Sequence, residues 1–307
     1  MSAEKQAQAD GSQPRANSQL FAAALLTLAA ATWGGNYVLG RAIAGEVPPG
    51  ALSVVRWTIG FLILLPFGWS QFKSDWPVLR AYWISTVLLG LAGGAMFGTV
   101  QYAALRYTTA TNGGLIGAVS PLLIAAAGAI IFRDRISWRV LLGLLMSIGG
   151  VLVVAFQGRA GSFLKLEANL GDALILFNLA VWGVYTACLR LKAPVHWLSF
   201  TIAIAAVSVL GNIPVALVEA ALGETLQATP KTFVAILYTS IATSVVAYAA
   251  WNQGVAIIGS QRAGQFLNLT PLFSVTAAWA ILGERLESYH AVAAVLIVAG
   301  IWVASRR

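Results

Sequence analysis

Two runs of five apolar segments follow one another along this chain, and the second repeats landmarks of the first about 150 residues later. Ala31, Thr32, Trp33 and Gly34, followed by Arg41, reappear as Ala180, Val181, Trp182 and Gly183, followed by Arg190. Further on, Ser120 and Pro121 with Arg133, Asp134, Arg135 and Ile136 reappear as Thr270 and Pro271 with Gly283, Glu284, Arg285 and Leu286. An odd number of segments per copy carries the second copy into a membrane from the opposite side. The expected fold is therefore an all-α polytopic membrane protein: ten transmembrane helices, arranged as two inverted five-helix repeats around a central cavity.

Composition agrees. Of 307 residues, 59% are hydrophobic and 10% charged, with a mean hydropathy of +0.79; a soluble domain carries about 25% charge. Open strands are excluded in lipid because their edge groups would have no partners. The segments fall at 20–42, 50–69, 81–105, 111–132, 138–156, 170–190, 197–219, 232–256, 262–282 and 289–305. Each is long enough to cross a hydrocarbon core of ~30 Å as a helix. This organisation reads as a disordered cytoplasmic tail over 1–19, a first repeat over 20–156, a linker over 157–169 and a second repeat over 170–305. The run from Leu20 to Ala42 is too long for a cleaved signal and carries the repeat motif, so it counts as a span.

The net charge of +8 lies in short connectors, which argues for topology rather than nucleic-acid binding. With the N-terminus inside, inner segments hold twelve Lys and Arg against six outside. The rule places both termini in the cytoplasm, here of a bacterial inner membrane. Trp69, Trp76, Trp83, Trp138 and Trp197 near segment ends read as an aromatic belt. Gly90, Gly94 and Gly98 share one face of span 3 and allow close helix packing. The single cysteine, Cys188, forms no internal disulfide and reads as packing.

Several chemistries are missing. No span carries an acid near its middle; Asp172 stands at the start of span 6, so a built-in carboxylate proton relay is not expected. His196 and His290 lie at span ends and read as interfacial. Zinc spacings, nucleophile motifs, paired buried carboxylates and a mid-span lysine are all lacking. The expectation is no enzyme, no cofactor and no metal.

Polar and aromatic residues within spans are costly in lipid unless they face a cavity or another helix. The candidate substrate-binding set is Trp33, Asn36, Tyr37, Tyr102, Ser120, Pro121, Trp182, Tyr185, Tyr248, Trp251, Asn252, Asn268 and Pro271. Pro121 and Pro271 free the carbonyls of Gly117 and Leu267, which are either acceptors for a substrate ammonium or hydroxyl, or kinks satisfied by neighbouring helices. Trp33 and Trp182, matched in the repeat, read as cavity walls for flat apolar solutes or an ammonium. Arg56, the one charge well inside a span, is either a fork for a substrate carboxylate or a structural cation that meets carbonyls or snorkels; its shallow depth favours the structural role.

The Trp-Gly pair with Arg41, Arg56 beside Trp57, and the Pro-centred spans 4 and 9 with their following acids resemble the drug/metabolite transporter superfamily, EamA type, over residues 20–305. Within it, Tyr248, Trp251, Asn252 and Gly254 with Trp182 and Tyr185 resemble aromatic amino-acid exporters; Ser120 and Asn268 depart from that pattern. The resemblance implies ten helices, a cavity open to alternate sides, and substrate contacts at Trp33, Ser120, Pro121, Trp182, Tyr185, Tyr248, Trp251 and Asn252. The implied function is export of amino acids, aromatic or apolar with Thr or Met included, and of related metabolites. Partners would be the small-molecule substrate and the lipid bilayer, with no nucleic acid, and the protein a monomer, a homodimer being the alternative. Other functions to weigh are a nucleotide-sugar or other metabolite carrier, or a channel.

Overall fold

A computed structural model of the chain describes residues 16–134, 138–158 and 169–305. The tail before Ala16, most of the linker and the Arg135–Ile136 part of the repeat motif lie outside the described residues. Every regular element among the described residues is helical. In chain order they are α1 (Ala16–Ala42), α2 (Pro49–Ala81), α3 (Trp83–Ala104), α4 (Ala110–Gly117), α5 (Ser120–Phe132), α6 (Trp138–Ala155), α7 (Leu170–Leu191), α8 (Trp197–Ala221), α9 (Pro230–Ile258), α10 (Arg262–Leu282) and α11 (Ser288–Ser305). Seven of these are long and apolar enough to cross a membrane: α1, α2, α3, α7, α8, α9 and α10. The bent pair α4 and α5 supplies an eighth candidate, and α6 and α11 contain shorter apolar stretches. The protein is thus a multi-pass membrane protein.

Two expectations about the helices change. Span 2 does not stop near residue 69; α2 runs 33 residues to Ala81 and carries Pro66 and Pro77 inside it. Span 4 is not one helix. It breaks at Ala118 and Val119, and its parts are bent by 46°. Pro121 then sits in the first turn of α5, where its missing N–H costs nothing and its fixed φ suits a helix start.

Helix pairing follows the sequence duplication. The α2–α8 and α6–α11 contacts each join a helix to its own counterpart, while α1 packs on α9 and α10 as α7 packs on α3 and α5. The self-pairs are antiparallel. At one end of the α2–α8 pair, Glu219 of α8 accepts the Gly50 and Ala51 N–H groups at 2.8 and 3.0 Å; at the other, Asp75 of α2 accepts the His196 N–H at 3.0 Å. Each carboxylate satisfies orphan amides at the start of the partner helix and complements its dipole. In the α6–α11 pair, a Cβ on Gly150 would stand 2.9 Å from Ala293 O, and one on Gly300 would stand 2.5 Å from Gly143 O. Only glycine permits backbones this close.

Of the five expected interfacial tryptophans, Trp69, Trp76, Trp83 and Trp138 are exposed, as an aromatic belt requires, and Trp197 is half-buried.

Candidate functional site

Both Trp-Gly pairs point inward because their glycines press against α10 and α5. A Cβ on Gly34 would stand 2.6 Å from Phe273 Cβ, and one on Gly183 would stand 2.9 Å from the Leu123 backbone. These contacts turn Trp33 and Trp182 towards each other, ring centroids 5.1 Å apart and edge-on. Around them gather Tyr248 and Trp251, each 5.5–5.9 Å from both tryptophans, then Phe97 at 4.5 Å and Tyr185 at 4.9 Å from Trp182. All six side chains are buried. The expected lining of a central cavity therefore meets itself, and the aromatic rings fill the centre in this structure. Phe97 was not foreseen; a phenylalanine in an apolar span carries no sequence signal of position.

Flanking this cluster are two hydrogen-bonded pairs that match across the duplication. Tyr102 Oη donates to Asn36 Oδ1 at 2.9 Å, joining α3 to α1. Tyr185 Oη donates to Asn252 Oδ1 at 2.8 Å, joining α7 to α9. More than a turn before each pair's residue on α3 or α9 lies a π-helical stretch, Gly90–Met96 and Thr239–Ala247. A π turn shifts the backbone ladder and leaves carbonyls available to side chains. In α3, Gly93 O accepts from Tyr248 Oη and Gly94 O from Trp57 Nε1 at 3.0 Å. In α9, Thr239 O accepts from Thr243 Oγ1 at 2.7 Å and Ser244 Oγ at 2.8 Å.

The remaining predicted residues collect where the α4–α5 pair crosses α10 and α1. Gly114 packs on Pro271, and Gly264 packs on Pro121. Tyr37 lies over Gly113 and Gly117 of α4. The two carbonyls expected to await a substrate are already engaged. Ser120 Oγ donates to Gly117 O at 2.6 Å, and the Leu269 N–H turns back to the carbonyls of Leu267 and Phe266. The short polar side chain ahead of Pro121 heals the break that the proline makes. Asn268 is half-buried beside it, with Oδ1 unpartnered; Thr270 Oγ1, Trp251 Nε1 and Asn252 Nδ2 also lack partners.

Arg56 takes neither of the two structural forms expected of it, snorkelling or carbonyl pairing. It is 2% exposed, so it does not snorkel. Nη1 reaches Tyr102 Oη at 3.1 Å and Thr243 Oγ1 at 3.5 Å, while Nε and Nη2 have no partner. No carbonyl receives it. His290 is a second correction: it is buried rather than interfacial. Nδ1 accepts the Glu287 N–H at 2.8 Å, which makes Nε2 the protonated nitrogen, and this donates to Asn112 Oδ1 at 2.9 Å. Asn112 Nδ2 in turn meets Asp172 at 3.4 Å, and Thr108 Oγ1 donates to the same carboxylate. The acid near the start of span 6 is thus buried and hydrogen-bonded, although it lies away from the aromatic centre.

The ends of the molecule carry the ion pairs. Arg106 meets Glu224 at 2.6 Å, and Lys231 pairs with Glu46 close by. Beside them is a recess of about 640 Å³ lined by Arg41, Pro48, Arg106, Glu224 and Gln227 among others. At the other end Arg190 meets Asp134 at 2.7 Å and lies over the Phe132 ring. Hydrogen bonding from these cations holds the carboxyls of Glu46, Asp134 and Glu224 below the usual carboxylate range.

Comparison with known proteins bears on this arrangement. Residues 20–156 and 169–306 each match the model of the EamA-like transporter family. An uncharacterized transporter of Bacillus subtilis, YyaM, is 28% identical over 284 residues, covering 89% of each chain. A Salmonella typhimurium protein named a "probable amino-acid metabolite efflux pump" is 22% identical, covering 91% of this chain and 93% of its own. A solved crystal structure superposes with a TM-score of 0.63 at 22% identity, covering 95% of this chain and 97% of that one. Its likeness concerns the fold.

Proposed function

Because the chain belongs to the EamA-like transporter family, we propose that this membrane transporter exports amino acids with aromatic or apolar side chains, and related small metabolites, by alternating access. The observation that carries this reading is the aromatic centre, where repeat-matched Trp33 and Trp182 meet Tyr248 and Trp251. Such walls suit a flat apolar side chain. The unpartnered polar atoms of Trp251, Asn252, Asn268 and Thr270 beside them suit an amino-acid head group. The Salmonella relative, named for amino-acid metabolite efflux, supports the same solute class.

In this reading α6 and α11 complete ten crossings, and the two halves are inverted copies, as the antiparallel self-pairs α2–α8 and α6–α11 support. Both termini face the cytoplasm of a bacterial inner membrane, following the Lys and Arg distribution. The closed aromatic centre is one state of the cycle. Rocking of the halves about the pairs Asn36–Tyr102 and Tyr185–Asn252 opens it to either side. A nucleotide-sugar carrier would need several cations at the centre, where Arg56 alone stands among the described residues.

Counterflow in proteoliposomes tests the assignment. Vesicles are loaded separately with phenylalanine, tryptophan, threonine or methionine, and labelled uptake is followed. Saturable counterflow by phenylalanine or tryptophan is expected. Trp182→Ala should abolish it while the protein remains monodisperse in detergent. Full transport by that variant, or flux without counterflow as a channel gives, overturns the reading.

A further inference from the structure

A guanidinium without a counter-ion sits one layer from the aromatic centre. The three ion pairs among the described residues lie at the molecular ends, and none involves Arg56. Its immediate surroundings are neutral: the Trp57 and Tyr102 rings, centroids 5.1 and 5.4 Å from Cζ, the hydroxyls of Tyr102 and Thr243, and the Tyr248 hydroxyl beside it. Burying a guanidinium charge is costly without an anion.

The geometry of what is left bare is specific. Nη1 is the nitrogen that the two hydroxyls hold. The unpartnered nitrogens are Nε and Nη2, which together form the side-on edge of the guanidinium. Two parallel N–H groups on that edge match the two oxygens of a carboxylate. The seat is made by glycine: a Cβ on Gly98 would overlap Nη2 and lie 2.7 Å from Cζ. The site is also joined to the aromatic cluster, because Trp57 packs edge-on against Tyr248 at 5.0 Å and Tyr248 against Trp33 and Trp182. One cation balances one carboxylate; a doubly charged phosphate would leave negative charge buried.

We propose that the Nε–Nη2 edge of Arg56 docks the carboxylate of the transported solute, with the solute's apolar part against Tyr248 and the paired tryptophans. This rests on the transporter reading above, and it narrows the substrate class to organic carboxylates. Tyr102 and Thr243, one from each half, hold the fork in place. Because Thr243 belongs to the second half, rocking of the halves alters the hold on Arg56 and so couples opening to release of the anion.

The test is binding to the purified full-length protein by calorimetry, with phenylalanine, phenylalaninamide and 3-phenylpropionate as probes. Wild type should bind the two acids on the order of 10- to 100-fold more tightly than the amide, the range for a charge-assisted pair. Arg56→Gln should erase that preference, Arg56→Lys should retain part of it, and Gly98→Ala should weaken the acids selectively. Equal binding of acid and amide by wild type overturns the proposal even if no variant folds, as does an undiminished preference in Arg56→Gln. Arg56-dependent binding of 3-phenylpropionate without binding of phenylalanine would leave the carboxylate site standing and sink the amino-acid reading. Phenylalanine counterflow with an unaltered acid preference in Arg56→Gln would do the reverse.

Discussion

Asn36 with Tyr102 on one side of the centre, and Tyr185 with Asn252 on the other, make the same hydrogen bond with the tyrosine and asparagine exchanged between equivalent helices. The scaffold around them is equally matched: Gly34 against α10 and Gly183 against α5, Gly114 and Gly264 against the prolines, and π stretches at corresponding places in α3 and α9. The chemistry is not matched. Tyr102 also accepts from Arg56, whereas Tyr185 has no cation beside it among the described residues, and the corresponding stretch of α8, around Ile204 and Ala205, is apolar and buried. The duplication thus supplies a symmetric frame, while among the described residues one half alone holds a buried cation beside the centre.

That division can be broken by experiment. The largest stability effects should be the symmetric ones. Gly34→Ala and Gly183→Ala each force a Cβ into atoms less than 3 Å away, and each should cost about 1–3 kcal/mol. Thermal unfolding in detergent should show the two losses equal within about 1 kcal/mol; strongly unequal losses would mean the frame is less symmetric than the contacts indicate.

The difference that separates the two tyrosines should be smaller, up to about 2 kcal/mol. Tyr102→Phe leaves Nη1 of Arg56 with Thr243 alone and should cost about 1–3 kcal/mol, as for a buried charged group losing a partner. Tyr185→Phe removes a neutral bond and should cost about 1 kcal/mol. Equal losses in the same unfolding assay would deny Arg56 its special place.

The smallest effects should come from the ends. Asp134, Glu46 and Glu224 have carboxyls held below their ordinary range by Arg190, Lys231 and Arg106. A depressed folded pKa gives stability that is present above the unfolded value, about 4, and lost as pH falls through the folded value. The melting temperature should therefore be flat from about pH 8 to 5 with respect to these pairs and fall below about pH 4. Asp134→Asn and Glu224→Gln should shallow that acid limb and shift the neutral-pH melting temperature less than either tyrosine substitution.

Much of the site was readable from the chain because a polar or aromatic residue inside a lipid-length segment needs a reason to be there. Trp33, Trp182, Tyr248 and Trp251 converge as that logic requires, and the matched Asn–Tyr pairs come from residues it singled out. The logic fails where a residue's partners lie far along the chain. Arg56 reads as a shallow structural cation until Gly98, Tyr102 and Thr243 close around it. His290 reads as interfacial until Asn112 and Glu287 bind it. The freed carbonyl at Gly117 reads as a ligand until Ser120 turns back on it.

Hydropathy determined from the sequence alone that the chain is a bundle of membrane helices, because a segment of apolar residues has one low-energy environment and one way to satisfy its backbone there. The repeated Trp-Gly and Pro landmarks determined which helices correspond. The break in span 4, the filled aromatic centre and the bare edge of Arg56 were decided by tertiary structure. Each depends on which side chain from the opposite half arrives within hydrogen-bonding or contact distance, and local sequence does not encode that distance.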